Sequence, residues 1–121
     1  IKIMSNQKEL EKHFERNEKM WKIWEQRGVN SETNLRVFFH FYATNKVDLN
    51  SLCQELEEDN IVYQKKEVRT FIFFKGWKVD AEITQKWSLP LLQGKMGRFF
   101  LMAQQTGVSL EGCGAIMPTK Q

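Results

Sequence analysis

Apolar positions recur at helical spacing near the start of the chain. Leu10, Phe14, Trp21 and Trp24 follow one another at intervals of four, seven and three, with Lys, Glu and Arg between them, which predicts a helix over Ser5 to Arg27. Ser5 is placed to cap its start, and Gly28 to end it in a left-handed conformation. Residues 7 to 19 are nearly all polar, so a break near Asn17 is open, and Glu18 to Gln26 is the half expected to pack. After a polar turn, Leu35 to Ala43 is rich in Val, Phe and Tyr and free of Gly and Pro, which predicts a strand. Its faces are Leu35, Val37, Phe39, Phe41 and Arg36, Phe38, His40, Tyr42. Both carry aromatics, so a central strand covered at least partly on each side is expected.

Asp48 is placed to cap an amphipathic helix with the stripe Leu49, Leu52, Cys53, Leu56, ending near Asp59 and Asn60. Ile61 to Val68 is a more polar strand of the edge type, and Arg69 to Val79 a strongly apolar one. No Asn-Gly or Gly-Gly turn separates them, which leaves the boundary anywhere from Gln64 to Glu67. Ser88 and Pro90 open a further helix with the stripe Leu92, Met96, Phe99, Ala103, closed by Gly107. Gly94 and Gly97 weaken it by roughly 1 kcal/mol each relative to Ala, so an irregular first half is expected. A short terminal strand, Val108 to Met117, is interrupted by Gly112 and Gly114. The order is an N-terminal helix followed by β-α-β-β-α-β. It predicts an α+β fold of the ferredoxin-like kind, a four-stranded antiparallel sheet with two helices on one face.

Composition adds limits. The 121 residues suffice for one core, and 41% hydrophobic with 27% charged residues is the balance of a globular chain. No apolar run is long enough to cross a bilayer and no leader-like segment is evident, which makes the cytoplasm the expected location, although Ile1 and not a methionine opens the numbering. Cys53 and Cys113 lack CxxC spacing and are expected as free thiols, with neither a disulfide framework nor a zinc site. A net charge of +3 tolerates an acidic partner but is far from a dense nucleic-acid-binding stripe.

The usual catalytic and cofactor signatures are absent: no GxSxG, P-loop, GxGxxG or HExxH occurs. Neither an enzyme, a cofactor nor a metal is expected. His13 reads as a solvated histidine on a charged helix, and His40 as a packed strand histidine. Glu55, Glu57, Glu58 and Asp59 read as a solvated acidic turn, or as a patch for a basic partner. On the third strand, Arg69, Phe71, Phe73, Lys75 and Trp77 would share one face. Interleaved cations and aromatics on an open sheet stack RNA bases. The expectation is that Trp21 and Trp24 of the first helix, or a second copy in a homodimer, close this face, so that direct RNA binding is not expected.

The residues from Asn17 to Pro118 resemble the family of the regulator of ribonuclease E activity B, the RraB-like proteins. The likeness rests on Asn17, Glu18 and Lys19 opening a helix that ends in Gly28, on the strand Phe38, Phe39, His40, Phe41, Tyr42, and on the ending Leu110, Glu111, Gly112, Cys113, Gly114. That ending is similar to a terminal Tyr-Asp-Gly-Trp-Gly, with both glycines kept where a backbone turn favours them. The resemblance implies a ferredoxin-like domain over 17–121 behind an N-terminal extension over 1–16, without catalytic residues. It also implies a protein partner, a ribonuclease of the RNase E type whose activity is lowered. Arg69, Phe71, Phe73, Lys75, Trp77 and Glu111 are the candidate partner-binding residues. A single-stranded RNA binder and an immunity-type inhibitor of a nuclease toxin are the alternatives.

Overall fold

A computed structural model describes residues 2–71 and 74–117, with side chains described for 6–69 and 74–117. The first helix, α1 (Lys2–Gln26), runs without a break. Ser5 therefore lies inside it and does not cap it, and Asn17 interrupts nothing. Gly28, at φ +100°, turns the chain out of the helix, and the Val29 N–H reaches back to the Trp24 carbonyl at 3.0 Å. Trp21 and Trp24 are buried and meet edge to face at 5.8 Å.

Strand β1 (Asn34–Ala43) buries Leu35, Val37, Phe39 and Phe41 almost completely. Of its alternate residues Asn34 and Arg36 are exposed while Phe38, His40 and Tyr42 are half-buried, so the central strand is covered fully on one face and only in part on the other. Helix α2 (Lys46–Glu58) is capped by Asn45 and not by Asp48: the Asn45 Oδ1 accepts from the Asp48 N–H at 2.9 Å, and the Asn45 amide donates to the Asp48 carboxylate. Leu49, Leu52, Cys53 and Leu56 are buried as the stripe predicts. Helix α3 (Leu89–Thr106) starts at the Ser88 cap with Pro90 in its first turn and stops at Gly107, φ +85°. It is regular throughout; its glycines do not disorder it, because Leu92, Met96 and Phe99 anchor the same turns in the core.

The remaining strands are β2 (Val62–Phe71), β3 (Phe74–Lys86) and β4 (Ser109–Ile116). All neighbours are antiparallel, in the order β2-β3-β1-β4. The β2–β3 boundary thus falls later than the expected Gln64 to Glu67, and β3 continues past Val79, because β1 holds it in register as far as Asn34 opposite Lys86. Strand β4 is continuous. Where His40 faces Gly112 and Phe41 faces Leu110, Glu111 is the extra residue of a bulge, and Gly112 sits at φ +151°. The glycines expected to make a turn therefore serve a bulged strand.

The core lies between the sheet and the helices. Phe99 of α3 meets Phe39 at 4.6 Å and Phe41 at 5.7 Å, and the Trp87 indole donates to the Leu35 carbonyl at 3.0 Å. From α1, Trp21 and Trp24 join the same cluster. Cys113, opposite Phe39 and hence on its face of the sheet, reaches Asn17 of α1. All three helices therefore occupy one face, and among the described residues no helix lies across the other.

Candidate interaction surfaces

The β2–β3 hairpin holds most of the residues expected to contact a partner, but not on one strand. Arg69 lies on β2, directly opposite Lys75 of β3, and Glu67 is opposite Trp77. Phe71 closes β2 opposite Phe74, its side chain beyond the described ones, and Phe73 falls outside the described residues. Register places Lys75 and Trp77 on the face that carries Val79 and Ala81, the helix-bearing side. Trp77 is half-buried against the core, whereas Arg69 and Lys75 are exposed. The expected stripe is thus not on the open face. Glu111 is exposed at the bulge of β4, the opposite edge of the sheet from β2.

Two pairs of like charge stand across this hairpin, Lys66 opposite Lys78 and Arg69 opposite Lys75. Directly opposed like charges destabilise a sheet. Glu67, 3.7 Å from Lys75, offsets one of the four cations.

The uncovered face is built on β1. Arg36, Phe38, His40 and Tyr42 alternate with the buried set, and Lys78, Asp80 and Glu82 lie beside them on β3. Phe38 and His40 are parallel within 5°, with centroids 6.5 Å apart, and the Arg36 guanidinium sits 4.9 Å from the Phe38 centroid. The Arg36 Nε donates to Glu82, which holds that carboxyl below its ordinary value, and His40 Nδ1 lies 2.6 Å from Asp80 Oδ1. The Tyr42 ring occupies the space over Gly76, where a Cβ would overlap it. His40, expected in packing, is half-exposed in this face; the spacing of β1 contained that signal, since His40 alternates with Phe39 and Phe41.

A cleft of about 710 Å3 joins this face to α1: Arg16 and Asn17 line it together with His40, Tyr42, Lys78 and the Glu111 bulge. His13, expected in solvent, is buried with its ring edge-on to Phe100, and burial lowers its pKa, helped by Arg16. Asn17 is buried as well. Its amide donates to the Gln93 Oε1 at 2.9 Å and its Oδ1 accepts from the Cys113 thiol at 3.3 Å, while Gln93 donates to the Phe14 carbonyl. Asn17 thereby ties α1 to α3 and β4.

A histidine paired with a carboxylate near a thiol invites a catalytic reading, and the geometry argues against it. Cys113 shares the face of Phe39, and His40 points to the other side of the sheet. Burial pushes the Cys113 pKa up to about 12, so the thiol stays protonated, and the thiolate is the nucleophile. The acidic turn after α2 is occupied locally, with Tyr63 donating to Glu57 and Arg98 to Asp59. Among the described residues no cluster of His, Cys, Asp or Glu has the makings of a metal site, and no helix is long and apolar enough to cross a membrane.

A search of curated proteins finds no match. The family model described as regulator of ribonuclease activity B (RraB) matches residues 14–115, a span that runs from α1 through nearly all of β4 and takes in every strand and the bulge at Glu111. The chain belongs to the RraB family.

Proposed function

We propose that this chain is a non-catalytic regulatory domain that binds a protein, an endoribonuclease of the RNase E type, and lowers its activity in the cytoplasm. The observation that carries this reading is the family match over 14–115. In this reading residues 17–121 form the binding domain and 1–16 an extension. The sheet order, read from β4 as β4-β1-β3-β2 with antiparallel neighbours, supports a ferredoxin-like arrangement of that domain. The hairpin is the contact surface: Arg69 and Lys75 present two exposed cations of which Glu67 offsets one, beside half-buried Trp77 and with Phe71 closing β2. Glu111, on the far edge, is a separate contact.

The test is a titration of the chain against a purified RNase E-type nuclease by calorimetry without RNA, paired with cleavage of a labelled RNA. A saturable complex is expected, with cleavage slowing in step with its formation. The double substitution Arg69→Glu, Lys75→Glu should weaken both at least about tenfold, in the range of close interfacial charge pairs. No complex in the absence of RNA, with cleavage unchanged, would remove the nuclease from the proposal.

A further inference from the structure

We infer that the uncovered sheet face, together with the cleft beside it, binds single-stranded RNA. The inference does not depend on a nuclease partner. Phe38 and His40 stand parallel on β1 with centroids 6.5 Å apart. The two ring planes are therefore at most 6.5 Å apart, under twice the roughly 3.4 Å rise between stacked bases, so a base enters as the pair opens slightly. A base entering between them meets an aromatic plane on each side, and such stacking tolerates any base identity. Asp80 holds the imidazole and Arg36 lies over the Phe38 ring, so both planes are oriented by their neighbours.

Charge on this face points the same way. The two carboxylates of the face have partners, Glu82 in the Arg36 guanidinium and Asp80 in the His40 ring, and the cleft adds one further carboxylate, Glu111 at the bulge. Lys66 and Lys78 oppose each other directly, and neither takes part in an ion pair among the described residues. Lysine on the edge strand β2 would by itself be a guard against edge-to-edge pairing. Lys78 is on β3, which is paired on both sides and has no edge to guard. An unfavourable pair of cations is relieved when a phosphate lies between them. At the other end of the cleft Arg16 supplies a further cation. Next to His40, Gly112 and Gly114 carry no side chain, while Ile116 opposite Arg36 is exposed on the same face; a Cβ at Gly112 would meet nothing within 4 Å. Gly112 serves the bulge, and the absence of a side chain there and at Gly114 also leaves the backbone open to close approach by a ligand. An acidic protein segment would satisfy the lysines but has no use for parallel rings, and RNA uses both.

The experiment is fluorescence anisotropy of the full chain with a labelled mixed-sequence RNA of about 12 nucleotides. Salt is held at about 150 mM, and a duplex of the same sequence and a polyglutamate peptide serve as competitors. Half-saturation in the micromolar range is expected, with single strand preferred over duplex. Lys78→Glu should weaken binding about tenfold. Phe38→Ala should weaken it at least about fivefold. Phe38→Leu, which keeps apolar bulk and removes the ring plane, should do the same and serves if the alanine variant unfolds; circular dichroism and the thermal midpoint monitor the fold. Three results overturn the inference. They are the absence of saturable binding by folded wild type, binding that both Phe38 variants leave intact, and stronger displacement by polyglutamate than by RNA.

Discussion

His13 gives the fold a proton-linked stability term. Burial, then Arg16, lowers its pKa from 6.5, against smaller opposing effects from the Leu110 backbone, Glu9 and Glu111. The fold therefore favours the neutral ring, and the unfolded chain takes up the proton more readily. This contribution is complete above 6.5 and is lost as pH falls through the depressed folded value. The expected outcome is a urea midpoint that declines between about pH 7 and about pH 5, with part of the decline removed in His13→Gln. Identical pH profiles for the two proteins would assign the acid sensitivity to other groups. The burial of His13 and Asn17 was partly legible. A stripe at 10, 14, 21 and 24 leaves a vacancy at 17 that only Asn17 can fill, and His13 lies beside Phe14. Polarity obscured the pattern, because a buried amide belongs to a core only when partners such as Gln93 and Cys113, far off in sequence, meet it.

Among the elements, the amphipathic helices were the most legible, since each stripe is local; their starts were less so, as Ser5 lies inside α1 and Asn45, not Asp48, caps α2. The hairpin was the least. From Val68 to Phe74 the chain offers β-branched and aromatic residues without a turn former, and propensity alone cannot say where such a run reverses. Cross-strand register decides it, and register also separated Arg69 from Lys75 and turned Trp77 toward the core. The open face was misassigned for the same reason: Phe38, His40 and Tyr42 of β1 line it, where alternation had already set them apart, and exposed Phe74 of β3 is on the same side. Lys66 opposite Lys78 yields a prediction on stability that is separate from binding. Lys66→Glu replaces repulsion with attraction and should stabilise the isolated protein by about 0.2–1 kcal/mol. The gain should shrink as salt is raised, in denaturation series at low and high ionic strength. A loss of stability at low salt would mean that the two ammonium groups avoid each other in solution.

Across the described residues the helices lie on one side of the sheet only, and the first and last of the described elements seal each other. Asn17 and Cys113 meet across 96 positions of sequence. Composition and pattern gave the α+β class, yet nothing in them said which sheet face would stay bare, since that depends on where α1 docks. One consequence concerns the order in which the chain is made. Strand β1, the most apolar, lies between β3 and β4, so it keeps an unpaired edge until Ser109–Ile116 has been added. A version ending at Gly107 should self-associate on refolding, as light scattering would report, and a peptide of residues 108–117 added in trans should suppress this. A clear, monomeric solution of the truncated chain would show that α1 alone guards the edge. During vectorial synthesis, the interval between emergence of β1 and emergence of β4 is then an aggregation window, and its length is set by the ribosome's pace over α2, the hairpin and α3.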